Sequence, residues 1–475
     1  MKELKPTGPD LLFLISNGFS ARMICQTELL PGLVAGGLRV GVLAADRQDP
    51  SLVALAERTG VELYEYDVPR GAVKAQLFSL RRYFFNDLEN NPALREKYMS
   101  RKLDASRSFL QRCQHVLSGA LYAVGRRSAR LRQAYWKLER RLLPSAAAEA
   151  QLADIAPAQL VCTYPVLNPE PEFMLAARRL GIPTTLQLLS WDNITGKGLF
   201  PALPDRYVVW GDVMAAELNE YYGVPGGEVY RCGVPHFDQH VRARADLRNG
   251  PVLAALGLDA GSPYLFVAMS APRYCPREID IVEWLAERVS RGEFGAGTQL
   301  VVRPHPQNVR GYMADQSWLP RIKALEALPG VGVLYPRMND GSNVLFSIDQ
   351  EDMHSFTHAL AGAAVVLNSG STVSIDAMMT DRPVVLTSFD ADEDIEYWFS
   401  ARRLKDYLHL AKLIRHGGVT VTSSYAELTA ALRRYLADPA LDSAERQATV
   451  RAYCVAADGG STRRAIDYYR QTVTK

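Results

Sequence analysis

Short apolar runs recur along this chain, separated by longer stretches whose apolar positions fall at helical spacing. That alternation is the rhythm of parallel sheets covered by helices on both faces. Runs at 11–16, 39–44 and 62–66 open the series, and runs at 160–163, 184–189, 206–210 and 229–232 continue it. Between 70 and 143 the rhythm breaks, because no buried strand is evident and the stretch reads as long helices. A second series follows a polar stretch near 238–260, with runs at 264–269, 299–303, 331–335, 363–367 and 383–386. The pattern predicts an α/β chain of two doubly wound, Rossmann-like domains facing a central cleft, where loops at the strand ends meet a ligand. The expected division is 1–237, carrying a helical insertion at about 70–145, then 238–445, then two closing helices over 446–475 that cross back onto the first domain. Asp458-Gly459-Gly460-Ser461-Thr462 reads as the stop between those two helices followed by a new cap.

Composition narrows the classes. With 475 residues, 48% of them hydrophobic and 22% charged, the chain can bury large cores. Lys and Arg number 54 against 52 Asp and Glu, so no global charge draws it to nucleic acid. Six scattered cysteines show neither a Cys-x-x-Cys pair nor zinc spacing, which fits a reducing compartment. The apolar run after Met1–Pro6 is too short for a signal peptide or membrane span, so a cytoplasmic protein is expected.

The strand ends carry the candidate chemistry. The run at 299–303 ends in Arg303-Pro304-His305-Pro306, whose prolines hold the backbone extended and present His305 from a stiff loop. Imidazole and the Arg303 guanidinium suit a phosphate, although a loop His also satisfies nearby carbonyls. The run at 363–367 enters Asn368-Ser369-Gly370-Ser371-Thr372 and then a helix, which offers Ser369, Gly370, Ser371 and Thr372 as a diphosphate cradle without a lysine. The alternative is an ordinary capped helix. Asp376, one turn further on, is placed to accept from ribose hydroxyls or to complement the helix dipole. Ser270 and Arg273, after the run at 264–269, join the same set.

In the first domain, Asn17, Ser20 and Arg22 follow the opening strand without the three-glycine dinucleotide fingerprint. A sharper signal is Ser190-Trp191-Asp192-Asn193-Ile194-Thr195-Gly196-Lys197-Gly198. Asp192 is read as a base for an attacking hydroxyl, with Trp191 stacking on a ring and Asn193, Thr195 and Lys197 contacting an acceptor. The plainer reading is a turn whose Asp and Asn bond their own backbone. Residues 95–141 hold thirteen Lys and Arg against Glu96, Asp104 and Glu139, interleaved with apolar residues. Such a helix either buries its apolar face in the core or lies on an anionic membrane. Asp390, Asp392 and Asp394 alternate on an acidic loop read as a solvated turn, and no metal site is expected.

On these residues the chain resembles the GT-B glycosyltransferases, in particular bacterial surface- and capsule-polysaccharide transferases and the CDP-glycerol glycerophosphotransferases. His305-Pro306 and the turn 369–372 resemble the His-Pro and serine motifs by which such enzymes, and some bacterial sialyltransferases, hold nucleotide phosphates. Tyr207-Val208-Val209-Trp210-Gly211 and Cys232-Gly233-Val234-Pro235-His236-Phe237-Asp238 look like the end of a GT-B first domain and its linker. The resemblance implies a metal-independent, cytoplasmic transferase at the inner face of the membrane, with no cofactor. It would take a CMP-, CDP- or UDP-linked sugar and pass it to a glycan or lipid-linked acceptor. Asp192 and His305 would be catalytic, and Ser270, Arg273, Arg303, Ser369, Gly370, Ser371, Thr372 and Asp376 would hold the donor. Many relatives carry Glu where this chain has Asp376, and the acidic motif of the sialyltransferase type is not evident. Non-hydrolysing UDP-N-acetylglucosamine 2-epimerases share the fold and a His-Pro loop, but have more acidic residues after the serine turn, which favours transfer. The same resemblance extends to a CDP-polyol phosphotransferase, and a degenerate GT-B scaffold would bind a partner or glycan without catalysis.

Overall fold

The computed structural model describes residues 7–68, 72–104, 106–166, 169–310, 315–339, 342–344 and 347–473. Met1–Pro6, read above for a targeting signal, lie outside the described residues. The chain divides into two compact units, Met1–Arg231 with Ala465–Lys475, and Cys232–Arg464.

Unit 1 is built on seven parallel strands: β1 (Leu11–Ile15), β2 (Val40–Ala44), β3 (Glu62–Glu65), β4 (Leu160–Cys162), β5 (Thr184–Gln187), β6 (Arg206–Val209) and β7 (Val229–Arg231). Their order, β3-β2-β1-β4-β5-β6-β7, reverses between β1 and β4. β1, fully buried as Leu-Leu-Phe-Leu-Ile, can run without polar alternation because helices cover both faces of a parallel sheet. The closing helix Ser461–Val473 contributes Tyr469 to this unit, packed edge-on against Phe13 and donating its hydroxyl to Gln187 Oε1 at 2.8 Å.

Unit 2 carries β8 (Tyr264–Ala268), β9 (Gln299–Arg303), β10 (Val331–Val333), β11 (Val365–Asn368), β12 (Val384–Thr387) and β13 (Val419–Thr422). The order β10-β9-β8-β11-β12-β13 reverses between β8 and β11, whose register sets Leu265 beside Val365 and Val267 beside Leu367. The loops after those two strands therefore leave the sheet side by side, at the place where doubly wound folds take a ligand. Leu265, Leu285, Val302, Leu367, Val385 and Leu432 belong to the core beneath them.

Strand β13 is not among the apolar runs read from the sequence. Val419-Thr420-Val421-Thr422 alternates instead of running apolar, as suits an edge strand whose first three residues are half-exposed. The rhythm break after β3 is a helical insertion, Ala72–Phe85, Pro92–Leu103, Phe109–Arg127 and Ala129–Leu142. Polar caps divide it: Asn91 accepts from Leu94 N–H ahead of a first-turn proline, Ser108 and Gln111 form a capping box, and Ser128 accepts from Leu131 N–H. Each cap contributes about 1 kcal/mol to its helix.

Candidate functional site

In unit 2, four chain segments at the β8/β11 reversal are tied together by side chains. Glu278, the first residue of helix Glu278–Ser290, accepts the Ser270 N–H on Oε2 at 2.6 Å and the Ser369 hydroxyl on Oε1 at 2.5 Å. Ser369 also shares a 2.9 Å hydrogen bond with the Thr387 hydroxyl. Asn308 donates from Nδ2 to the Ser270 carbonyl at 3.2 Å, which fastens the His305 loop to the same point. His305 caps the short helix Pro306–Val309 by accepting Gln307 N–H on Nδ1 at 3.1 Å, so Nε2 carries the ring proton and is the donor. Burial pushes the Glu278 carboxyl up to about 7, against the hydrogen bonds from Ser369 and Ser270 that lower it.

The serine turn is organised by Asn368. Its Oδ1 accepts the amides of Gly370 and Ser371, each at 2.8 Å, and the Ser371 hydroxyl accepts Val373 N–H at 3.3 Å. These amides, expected to point at an anion, are thus occupied within the turn. Helix Val373–Met379 is short, and the groups facing outward are the half-exposed Ser371 and Thr372. Gly370 has φ +114°, and a Cβ there would lie 2.5 Å from Leu410 Cδ2, so a side chain would strain the turn twice over.

Other expected donor contacts are placed differently. Arg303 is buried and forms a bidentate pair with Asp352, at 2.9 and 2.6 Å, with a further bond to the Leu334 carbonyl at 3.3 Å. Its charge is balanced inside the unit. Asp376 is buried and bonds His240 Nε2 at 2.6 Å from Oδ1. Arg273 is exposed, stacked over the Tyr274 ring at 4.4 Å and donating to its hydroxyl. Its loop is held from below by the buried Arg403, which donates to the Tyr274 carbonyl at 3.0 Å and the Arg273 carbonyl at 3.3 Å. Asp390, read as part of a solvated turn, is instead buried, accepting Ala401 N–H at 3.0 Å and the Ser400 hydroxyl.

Unit 1 repeats the buried carboxyl with the parts exchanged. Glu170 opens the helix after β4 and accepts from the Ser16 hydroxyl beyond β1 at 2.6 Å, and from the amides of Thr163 and Tyr164 at 2.6 Å. Burial brings it too up to about 7. Asn17 caps the first helix by accepting Ser20 N–H at 2.9 Å, and the buried Ser20 accepts from the Thr163 hydroxyl at 3.0 Å. Arg22 lies over the Phe19 ring at 5.1 Å. Sequence reasoning missed both glutamates. The signal available was a carboxylate opening a helix just beyond a strand end, which reads equally as an ordinary dipole partner.

The 190–198 loop is built as a locked turn. Asp192 accepts the Ser190 hydroxyl at 2.6 Å and pairs with Lys197 Nζ at 2.7 Å, while Gly196 N–H donates to its carbonyl at 2.7 Å. Trp191 and Thr195 are buried. Asn193 is fully buried, and neither side-chain polar atom has a partner among the described residues. The insertion clamps this loop: Asn91 Nδ2 donates to the Thr195 carbonyl at 2.7 Å, Lys97 Nζ to the Gly196 carbonyl at 3.0 Å, and Arg81 to the Leu199 and Phe200 carbonyls at 3.0 and 2.8 Å. Arg81 itself is buried against Glu139. Beside the clamp lies a cavity of about 280 Å³, walled by Trp136, Met174, Phe200 and Tyr222 and bordered by the exposed Arg140 and Arg178.

No family model matches the sequence, and no curated protein matches it. Solved structures do resemble the chain in fold. One is S. aureus MnaA with UDP, 10% identical, covering 98% of both chains with a TM-score of 0.52. Another is UDP-GlcNAc 2-epimerase from Neisseria meningitidis bound to UDP-GlcNAc, 10% identical over 97% of this chain and 99% of that one, at 0.51. A glycosyltransferase from Rickettsia africae is 9% identical over 99% of each chain, at 0.50. At such identities the likeness speaks for architecture: this chain has the GT-B plan, two doubly wound α/β units with a helical insertion in the first.

Proposed function

We propose that the chain transfers a sugar from a CMP-, CDP- or UDP-linked donor to a glycan or lipid-linked acceptor, in bacterial surface polysaccharide synthesis. The observation that carries this reading is the knitted loop set of unit 2. Ser270, His305 and the turn 369–372 are bound to one another through Glu278 and Asn308, at the strand-order reversal where doubly wound sheets receive nucleotides. His305 donates from Nε2 to a donor phosphate oxygen, and Ser270, Ser371, Thr372 and Arg273 complete the contact. Ser369, Gly370, Arg303 and Asp376 act one layer further in, by shaping the loops.

Unit 1 supplies the acceptor side. The acceptor hydroxyl attacks the anomeric carbon and gives its proton to Asp192, while the bond from that carbon to the nucleotide's phosphate oxygen breaks. His305 offsets the charge that develops on the leaving phosphate. Lys197 and Ser190 orient the Asp192 carboxylate. Trp191 and Asn193 shape the acceptor loop, and a buried side-chain amide without partners among the described residues suits a loop that gains bonds when occupied. Asn17, Ser20 and Arg22 belong to the strand end of the same unit.

The test is a radiolabelled transfer assay with UDP-, CDP- and CMP-sugars, with and without bacterial membrane extract. Label should move to extract only in its presence, and His305→Ala and Asp192→Asn should each lower the rate by about 10²–10³. A new stereoisomer formed from UDP-N-acetylglucosamine alone would overturn the transfer reading, as would full activity in both variants.

A further inference from the structure

Helix Phe109–Arg127 carries an apolar sector that faces outward. Successive residues turn by about 100°, so Phe109, Leu110, Cys113, Val116, Leu117 and Val124 share one sector. All six are exposed, Phe109 by 84%, Val116 by 70% and Leu117 by 61%. The inward side meets the other helices of the insertion: His115 lies against the Tyr98 ring at 4.4 Å, Gly119 approaches the Tyr98 hydroxyl so closely that a Cβ would lie 2.6 Å from it, and the half-buried Leu121 and Tyr122 pack against the apolar clusters of Leu77 with Tyr135 and of Leu88 with Leu94. The exposed apolar sector is therefore distinct from the side of the helix that packs inward. A contiguous row of large exposed apolar side chains marks a surface built to be covered.

The surrounding charge identifies what covers it. Arg101, Lys102, Arg112, Arg127, Arg130 and Lys137 are exposed on the insertion. Of the three acids between 95 and 141, Glu139 is buried against Arg81, which leaves the half-buried Glu96 and Asp104 against these six exposed cations. A second copy would bring like charges together across a self-complementary contact. No helix among the described residues is long and apolar enough to cross a membrane. We infer that this face lies on the surface of an anionic lipid bilayer, with Phe109, Val116 and Leu117 in the acyl boundary and the arginines among the headgroups. The inference is independent of the proposed transfer activity. It does give the clamp a second meaning, because the insertion that meets the bilayer also holds the 190–198 loop.

Cys113 allows the test on the native chain, since it is exposed on this face and the other five cysteines are buried. Acrylodan attached at Cys113 should shift to the blue with phosphatidylglycerol vesicles at low salt, and far less with phosphatidylcholine vesicles or at high salt. In flotation, the Phe109→Glu/Leu117→Glu double variant should lose at least about tenfold in vesicle affinity. Both residues are exposed, so an unchanged melting temperature would show that the fold is intact. Failure of the unaltered protein to float would overturn the inference, as would equal binding by the variant. So would light scattering that shows a dimer dissolved by the same substitutions, since the face would then be a contact between copies.

Discussion

Ser369 donates its hydroxyl to the buried carboxyl of Glu278 at 2.5 Å, across 91 residues of sequence. Because burial raises that carboxyl from 4.5 to about 7, the folded chain holds the proton more tightly than the unfolded chain. The sign follows from linkage: the stability this group adds is complete below about pH 4.5 and is lost as pH rises through about 7. Hydrogen exchange at β8 and β11 should accelerate over that window, by an opening free energy on the order of 3 kcal/mol at most. Glu278→Gln, which resembles the protonated acid, should flatten the dependence. An unchanged slope in the variant would exclude Glu278 as its source.

Arg303 and Asp352 form a buried pair, so removing one partner leaves the other's charge stranded. Asp352→Ala should cost about 3–5 kcal/mol in denaturant unfolding of unit 2, and Arg303→Met with Asp352→Leu should recover most of it. If Arg303 instead contacts the donor directly, Arg303→Lys would abolish nucleotide binding with stability intact.

The clamp on the acceptor loop can be loosened without uncapping a helix. Asn91→Asp keeps an acceptor for Leu94 N–H but loses the donor to the Thr195 carbonyl. Amides of 192–198 should then exchange roughly fivefold to tenfold faster, the effect of losing one hydrogen bond of about 1–1.5 kcal/mol. The helix Pro92–Leu103 should remain protected. Equal exchange in both proteins would mean that the insertion does not hold the loop.

Most of the architecture was legible in the sequence because a buried parallel strand must be an apolar run. Val384–Thr387 and Leu160–Cys162 announce themselves that way, whereas the alternating Val419–Thr422 does not. His305 and the serine turn were legible as strand-end loops, since position relative to a strand is local information. What was not legible is which polar groups are already satisfied. Asp352 meets Arg303 across 49 residues, Asp376 meets His240 across 136, and Glu170 meets Ser16 across 154. No periodicity encodes such pairs, so a guanidinium and a carboxylate that read as ligand groups emerged as internal partners. The orientation of helix Phe109–Arg127 was open for the same reason: its pattern defines an apolar face without saying which way it turns.

The central claim, that unit 2 receives the nucleotide end of a donor at the loops tied by Glu278 and Asn308, is tested most directly by calorimetric titration. CMP, CDP, UDP and GDP would be titrated into the unaltered protein and into His305→Ala. Saturable binding of a cytidine or uridine nucleotide is expected, weakened about tenfold by the substitution through the loss of one hydrogen bond to a phosphate. Absence of binding by all four nucleotides, or equal affinity in the two proteins, would contradict it.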